Sequence, residues 1–148
     1  MKLKSNYKWL AAPVAAVLLM VLAGSAMAQD VRKLAIHVNS GDLKTQNLAI
    51  NNAVNVMKHY GVGNVEIEIV AYGPGLTMFT KDSKVADRLR SLHAFGGVSF
   101  GVCGNTMKKM KIGKDGLLPD PFVQNGVVTS GVVRLIELQD QGYRYVKP

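Results

Sequence analysis

The sequence predicts a flavodoxin-like, three-layer α/β/α domain whose mostly parallel sheet has five strands in the order 2-1-3-4-5. Short apolar runs alternate along the chain with amphipathic stretches, a pattern typical of strands that are linked by helices. Some of these runs are apolar on both parities, as in parallel strands that are covered on both faces. Right-handed crossovers leave few topologies for five such strands, and the order 2-1-3-4-5 fits them.

The first 28 residues have the pattern of a cleaved signal peptide. Three lysines accompany an apolar run from Trp9 to Leu22, and Ala26-Met27-Ala28 supplies a cleavage site after Ala28. The alternative is an uncleaved anchor helix, although the run is shorter than the ~20 residues that a span requires. We therefore expect a periplasmic or secreted protein, free of the membrane after cleavage, with a single domain at residues 29–148.

Charge and cysteine content narrow the range of partners. The formal net charge is +8, or +5 without the three leader lysines, which favours anionic partners. Neither a nucleic-acid motif nor a basic stripe with interleaved aromatic residues is present, so nucleic acid is not an expected partner. The chain has one cysteine, Cys103, and therefore cannot form an internal disulfide. In an oxidising compartment this thiol is open to oxidation unless it is buried.

The first half of the domain predicts two strands and one helix. Residues 32–38 form an apolar run from Leu34 onward, interrupted by His37, and indicate a buried first strand. Apolar residues three and four apart predict a helix over residues 45–60. Residues 64–71 alternate apolar residues with two glutamates, which predicts an edge strand with one face partly open to solvent. The glycine-rich turn 72–75 follows it.

The second half continues the alternation of helices and strands. The predicted elements are a helix over 84–94 capped by Ser83, a strand over 98–103, a short helix over about 106–112, a weak strand over 122–128, a helix over 132–141 capped by Thr129 or Ser130, and a closing strand over 143–147.

The candidate site lies where the third strand ends. In the order 2-1-3-4-5 the topological switch falls between strands one and three, so Cys103 is expected beside Asn39 and Ser40. The helix that starts after Cys103 directs free N–H groups toward the thiol and lowers its pKa, with Lys108 and Lys109 adding positive charge. Gly104 leaves room above the sulfur for a second atom. The predicted ligand-binding residues are Asn39, Ser40, Gly73, Gly75, Gly104, Asn105 and Thr106, and the predicted catalytic residue is Cys103.

Other interpretations of these residues remain open. From spacing alone, Cys103 is equally explained as a reactive thiol or as a small packing residue. His37 invites the role of a base, but a core histidine is the simpler interpretation. Cys103, Met107 and Met110 have helical spacing that could hold Cu(I), although methionines at this spacing usually pack against a sheet. We therefore predict no metal site. We also predict no cofactor, because the sequence after the first strand lacks a phosphate-binding loop for a flavin.

Several short segments resemble the DsrE/DsrF-like family. These segments are Tyr72-Gly73-Pro74-Gly75-Leu76, Cys103-Gly104-Asn105-Thr106, Leu117-Leu118-Pro119, Gly131-Val132-Val133 and Gln141-Gly142-Tyr143, together with Ile36-His37-Val38 and Glu66-Ile67-Glu68-Ile69. Their order and spacing carry the resemblance over residues 33–148. The resemblance implies a flavodoxin-like fold that assembles into homo-oligomers such as dimers, trimers or hexamers.

The resemblance also implies a function. Sulfur-relay members of the family carry sulfur as a cysteine persulfide, and Cys103 is similar to that cysteine. The resemblance therefore implies a periplasmic sulfur carrier that exchanges sulfur with donor and acceptor proteins, at most a sulfurtransferase. The alternative hypothesis is a non-enzymatic oligomeric module that binds a small anion or a soft metal ion, in which Cys103 is structural. Thiol reactivity in the native protein separates the two hypotheses.

Overall fold

The computed structural model describes residues 31–148, which form one five-stranded parallel sheet with helices on both faces. The flavodoxin-like α/β class predicted from the sequence is confirmed. The predicted signal peptide and its cleavage site lie outside the described residues. Within residues 31–148, every helix is too short or too polar to cross a lipid bilayer.

The elements follow the predicted alternation closely. The strands are β1 (Arg32–Val38), β2 (Val65–Ala71), β3 (Val98–Cys103), β4 (Val127–Val128) and β5 (Arg144–Val146). The α-helices are α1 (Leu43–Tyr60), α2 (Ala86–Ala94), α3 (Gly104–Met110), α4 (Pro121–Gln124) and α5 (Gly131–Asp140), and short 3₁₀ turns cover Val62–Asn64, Gly73–Phe79 and Lys114–Gly116.

The strand order is β4-β3-β2-β1-β5, which differs from the predicted 2-1-3-4-5. Each of the first three crossovers adds its strand on the same side, so β2 lies between β1 and β3. The chain then returns across the other face and places β5 on the free edge of β1, where Leu34 pairs with Arg144. Cys103 at the end of β3 is consequently not beside the end of β1, as the predicted order required.

One face of the sheet, called the first face, is covered by an apolar core. Ala49, Ile50 and Ala53 of α1 and Leu89 and Leu92 of α2 are buried against the strands. The matching strand residues are Ile36, Val38, Ile67, Ile69, Val98, Phe100 and Val102. Helix α1 begins at Asp42, whose carboxylate accepts a 2.9 Å hydrogen bond from the Thr45 N–H. Helical periodicity thus decides how this face is built.

The opposite face, called the second face, is crossed by α5. Leu135 and Leu138 pack on Ala35 and Val70 in a small apolar cluster. Glu66 and Glu68 of β2 also point to the second face, because they alternate with Ile67 and Ile69, which lie in the core of the first face. Glu68 is buried and receives two hydrogen bonds from Arg134 of α5, at 2.8 and 2.6 Å. The edge position expected for this strand is therefore wrong: β2 is central, and α5 neutralises its buried carboxylate.

The segment expected as a weak strand over 122–128 is mostly not a strand. Asp120 precedes Pro121, which starts the short helix α4, and Val127–Val128 alone pair with β3. Proline lacks a backbone N–H and is favoured in a first helical turn. A Cβ at Gly126 would collide with the backbone carbonyl of Phe100, so the chain approaches β3 closely here.

Candidate functional site

Cys103 occupies the carboxyl end of β3 and is also the N-cap residue of α3. Its extended backbone (φ −70°, ψ 109°) changes directly into the helix at Gly104. Alternation along β3 places Cys103 with Ser99 and Gly101 on the second face, away from the core of the first face. The side chain is almost covered, with 4% of the residue exposed.

Hydrogen-bond donors face the Cys103 sulfur from two helices. Burial raises the pKa of this thiol, but hydrogen bonds from the Thr106 hydroxyl and from the N–H groups of Gly131, Thr106 and Asn105 lower it, and the net pKa is below the ordinary value. The Asn105 N–H is shared, since it also donates to the Thr129 carbonyl at 3.1 Å. These hydrogen bonds stabilise the thiolate, and the predicted contribution of Lys108 and Lys109 is not among the causes.

The Thr106 hydroxyl is oriented by the turn after β2. The Gly73 N–H donates a 2.9 Å hydrogen bond to Thr106 Oγ1. A hydroxyl has one proton and two acceptor positions, so this contact uses an acceptor position and leaves the proton for the sulfur. Gly73 has φ +53°, a conformation that glycine adopts without strain. Gly73 and Thr106, both predicted site residues, therefore belong to one hydrogen-bonded unit with Cys103.

The amino end of α5 closes the site from the other side. A Cβ at Gly131 would lie 3.3 Å from the Cys103 Cβ and 2.9 Å from Cδ1 of Tyr72. Only glycine brings the first N–H of α5 this close to the sulfur. Neither Gly131 nor the Tyr72 ring was among the predicted site residues. The sequence predicted a helix over 132–141 capped by Thr129 or Ser130, but the position of its amino end over Cys103 depends on the return crossover.

Gly104 has a different role from the predicted one. A Cβ on Gly104 would lie 3.0 Å from the backbone carbonyl of Val128 and 3.5 Å from that of Thr129. The space beside this glycine is therefore occupied by the chain after β4, and it does not form an opening above the sulfur. Asn105 is exposed at the start of α3, and only its N–H faces the thiol.

Asn39 and Ser40 lie at the end of β1, separated from Cys103 by β2. The Ser40 hydroxyl accepts a hydrogen bond from the Asp42 N–H, and the Ser40 carbonyl accepts one from Gln46, so Ser40 organises the start of α1. Asn39 lies against the turn after β2, where a Cβ at Gly75 would collide with the Val38 carbonyl. The structure thus brings Gly73, Gly104, Asn105 and Thr106 to Cys103. Asn39 and Ser40 lie at the end of β1, and Gly75 packs against that end.

A second polar cluster lies next to Tyr72 on the same face. His37 stacks on the Tyr72 ring with a centroid distance of 4.5 Å, and its Nδ1 lies 2.7 Å from the Tyr145 hydroxyl. Burial, and then the positive charge of Lys147, lower the pKa of His37. Its Nε2 is buried without a hydrogen-bond partner among the described residues. No hydrogen bond joins this histidine to the thiol, which favours a core role over that of a base for Cys103.

Residues 31–148 contain no cluster of three or more histidine, cysteine, aspartate or glutamate residues that could hold a metal ion. Of the sulfur ligands considered for Cu(I), Met107 is buried in the core of the first face, whereas Met110 is 40% exposed. Packing therefore explains Met107.

These features define the class of protein: a flavodoxin-like α/β domain with a hydrogen-bonded thiol at the carboxyl end of an inner strand. A protein of unknown function from Methanobacterium thermoautotrophicum, MTH1491, has a similar structure, with a TM-score of 0.70 and 30% sequence identity over 79% of this chain and 99% of that chain. The family model described as DsrE/DsrF-like matches residues 15–148. The chain belongs to the DsrE/DsrF-like family. No curated protein is significantly similar to it in sequence.

Proposed function

We propose that this protein is an exported sulfur carrier whose Cys103 accepts a sulfane sulfur atom, holds it as a persulfide and transfers it to an acceptor. The observation that carries the proposal is the set of donors around the sulfur. The Thr106 hydroxyl and the N–H of Gly131 come from two different helices and both stabilise an anion at the single cysteine. A thiol that only fills space in a core has no need of such donors.

The proposed reaction requires no oxidant other than the sulfur donor. With thiosulfate, the Cys103 thiolate attacks the outer sulfur, the new Sγ–S bond forms, and the S–S bond of the donor breaks. Sulfite leaves with the electron pair, and the persulfide retains one negative charge, so atoms and charge balance without a proton. An acceptor thiolate then attacks the outer sulfur of the persulfide, and Cys103 departs as a thiolate. Its lowered pKa makes it a good leaving group.

The burial of Cys103 limits what can reach it. With 4% of the residue exposed, Cys103 is covered by the surrounding chain, which includes Gly131, a residue that lies against both Cys103 and Tyr72. A small inorganic donor requires a much smaller displacement of this cover than a protein-bound persulfide does. We therefore choose thiosulfate and inorganic polysulfide as the first donors to test.

Mass spectrometry of the intact protein tests the proposal. After incubation with polysulfide or thiosulfate, we expect one added sulfur, about +32 Da, as a persulfide that dithiothreitol removes. The matched control is Cys103→Ser, which retains the size of the side chain and should acquire no sulfur. An equal adduct on the control, or no adduct on the native protein with either donor, would contradict the carrier function.

The burial of Cys103 is also the observation that favours the alternative, a non-enzymatic binding module in which the cysteine is structural. Iodoacetamide distinguishes the two functions through the ratio of alkylation rates in the native and the denatured protein. A carrier reacts in the native state at neutral pH, because its thiolate is stabilised. A structural cysteine reacts only after denaturation.

Export belongs to the same proposal. We propose cleavage after Ala28, so that the mature protein starts at Gln29 outside the cytoplasm. Amino-terminal sequencing of the protein recovered from a periplasmic extract should then begin at Gln29. A cytoplasmic protein that retains residues 1–28 would contradict this part of the proposal without affecting the chemistry of Cys103.

A further inference from the structure

His37 is a buried histidine that the proposed sulfur transfer does not use. It lies in β1, and 4% of the residue is exposed. Its Nδ1 lies 2.7 Å from the Tyr145 hydroxyl of β5, whereas its buried Nε2 has no hydrogen-bond partner within residues 31–148. A buried polar atom without a partner costs free energy that an aliphatic side chain would avoid. What an imidazole provides here, and an aliphatic side chain does not, is a flat ring.

The flat face of the imidazole stacks on Tyr72. The two ring centroids lie 4.5 Å apart, and the ring planes are inclined by 25°. Stacked aromatic rings attract each other beyond the effect of the area that they bury. Tyr72 is the first residue after β2, and this stacking holds its ring in one place on the second face.

Tyr72 also packs against the amino end of α5. A Cβ at Gly131 would lie 2.9 Å from Tyr72 Cδ1, 3.1 Å from Tyr72 Cβ and 3.3 Å from the Cys103 Cβ. Gly131 is buried, so the first residue of α5 is fitted against both the tyrosine and the cysteine. Burial raises the pKa of the Cys103 thiol, and the Gly131 N–H follows the Thr106 hydroxyl among the groups that lower it. Displacement of the Tyr72 ring would free this N–H to move away from the sulfur.

No capping side chain holds the amino end of α5. Ser130, its N-cap residue, makes no hydrogen bond to the first turn through its side chain. The ion pair of Arg134 with Glu68 lies about one turn further along, and the leucines that pack on the sheet lie beyond it. A hydrogen bond weakens steeply once its angle or length departs from the favoured range. The packing of Gly131 against Tyr72 is therefore the side-chain contact that sets the position of the first N–H.

We propose that Tyr72 is a positioning residue for the thiol: its ring, held by the stacking of His37, directs the N–H of Gly131 at the Cys103 sulfur. This inference deepens the proposed function and rests on it, since it identifies what holds one donor at the sulfur of the proposed carrier. It also gives the buried histidine a role that requires no hydrogen bond between His37 and the thiol.

Replacement of Tyr72 tests the proposal, with the pKa of Cys103 as the readout. In the protein expressed from its complete sequence, the chemical shift of the Cys103 Cβ carbon as a function of pH reports this pKa, whether or not reagents reach the thiol. We expect Tyr72→Leu to raise the pKa by about one unit, the effect of losing one hydrogen bond to a charged group. Tyr72→Phe retains the ring and should keep the native pKa. His37→Leu removes the stacked imidazole, leaves Tyr72 in place and should raise the pKa in the same direction.

The matched control is Leu138→Ala, about two turns of α5 away from Gly131. It removes a fully buried side chain of the same helix, so it should lower the free energy of unfolding and leave the pKa of Cys103 unchanged. An unchanged pKa in both Tyr72→Leu and His37→Leu would overturn the proposal, and so would a pKa raised equally by Leu138→Ala or Tyr72→Phe. The absence of a sulfur adduct on the native protein would contradict the carrier function alone, because the pKa is measured without a sulfur donor.

Discussion

The two faces of the sheet are held by different interactions. On the first face, α1 and α2 bury aliphatic side chains at helical spacing, and the core is almost free of polar groups. On the second face, α5 contributes two leucines, and specific polar contacts do the rest: Arg134 binds Glu68, and Tyr145 binds His37. The thiol belongs to the second face. The comparison indicates that the face with the smaller apolar core is the one that holds the ion pair, the buried histidine and the thiol.

The largest expected effect comes from breaking the ion pair of the second face. Arg134→Met leaves Glu68 buried without its partner and should lower the free energy of unfolding by about 3–5 kcal/mol. Urea unfolding measures this change. The matched control is the double variant Glu68→Leu with Arg134→Met, which removes both charges and should recover most of the loss. Equal destabilisation of the single and double variants would show that α5 is held by packing instead.

A cavity on the first face should have a similar but slightly smaller effect. Leu89→Ala in α2 removes a fully buried side chain and should lower the free energy of unfolding by about 2–4 kcal/mol. Leu48→Ala, at a residue of α1 that is 47% exposed, should cost far less. Leu89 packs in an apolar core and takes no part in an ion pair. Removal of a charged partner therefore cannot restore stability here, as it should for Arg134→Met.

The pH dependence of stability should follow His37 of the second face. Its folded pKa is below the ordinary value of 6.5, so just below that pH the unfolded chain binds more protons than the folded one. The contribution of His37 to the free energy of unfolding is therefore fully present at neutral pH and is lost as the pH falls below 6.5. His37→Gln should flatten this part of the profile in thermal melts recorded from pH 5 to 8, whereas His59→Gln on the exposed side of α1 should not. Identical profiles for native protein and His37→Gln would contradict the assignment.

The smallest effect on stability, and the most specific one on the thiol, is expected for Thr106. Thr106→Val removes one hydrogen bond to the sulfur and leaves the Gly73 N–H without its acceptor, at a cost of about 1 kcal/mol. The pKa of Cys103 should rise, and thiolate absorbance at 240 nm as a function of pH reports it. Thr106→Ser keeps the hydroxyl and should restore the native pKa. A Val variant with an unchanged pKa would leave the backbone N–H groups as the sole stabilising donors.

The difference between the two faces also explains which parts of the structure could be predicted from the sequence. Periodicity placed β1, α1 and β3 within two residues of their observed bounds, because burial on the first face repeats at the spacing of the elements. It did not find the strand order, since Glu66 and Glu68 gave β2 the alternation of an edge strand. Their partners, Tyr143 and Arg134, come more than 60 residues later. Cys103 and Thr106 could be placed together from the sequence because they share one short segment, whereas the contact of Gly131 with Cys103 is tertiary.

Part of the cover over the thiol comes from α5, which follows Cys103 in the chain. Gly131 at the start of α5 lies against Cys103. After this helix, β5 pairs with β1, where Arg144 is the partner of Leu34. Contacts this distant in sequence form late, because a long loop must close first. During synthesis, the cysteine is therefore present before its cover is complete. The thiol is most open to oxidation in the nascent chain, and docking of the carboxyl-terminal helix ends that interval.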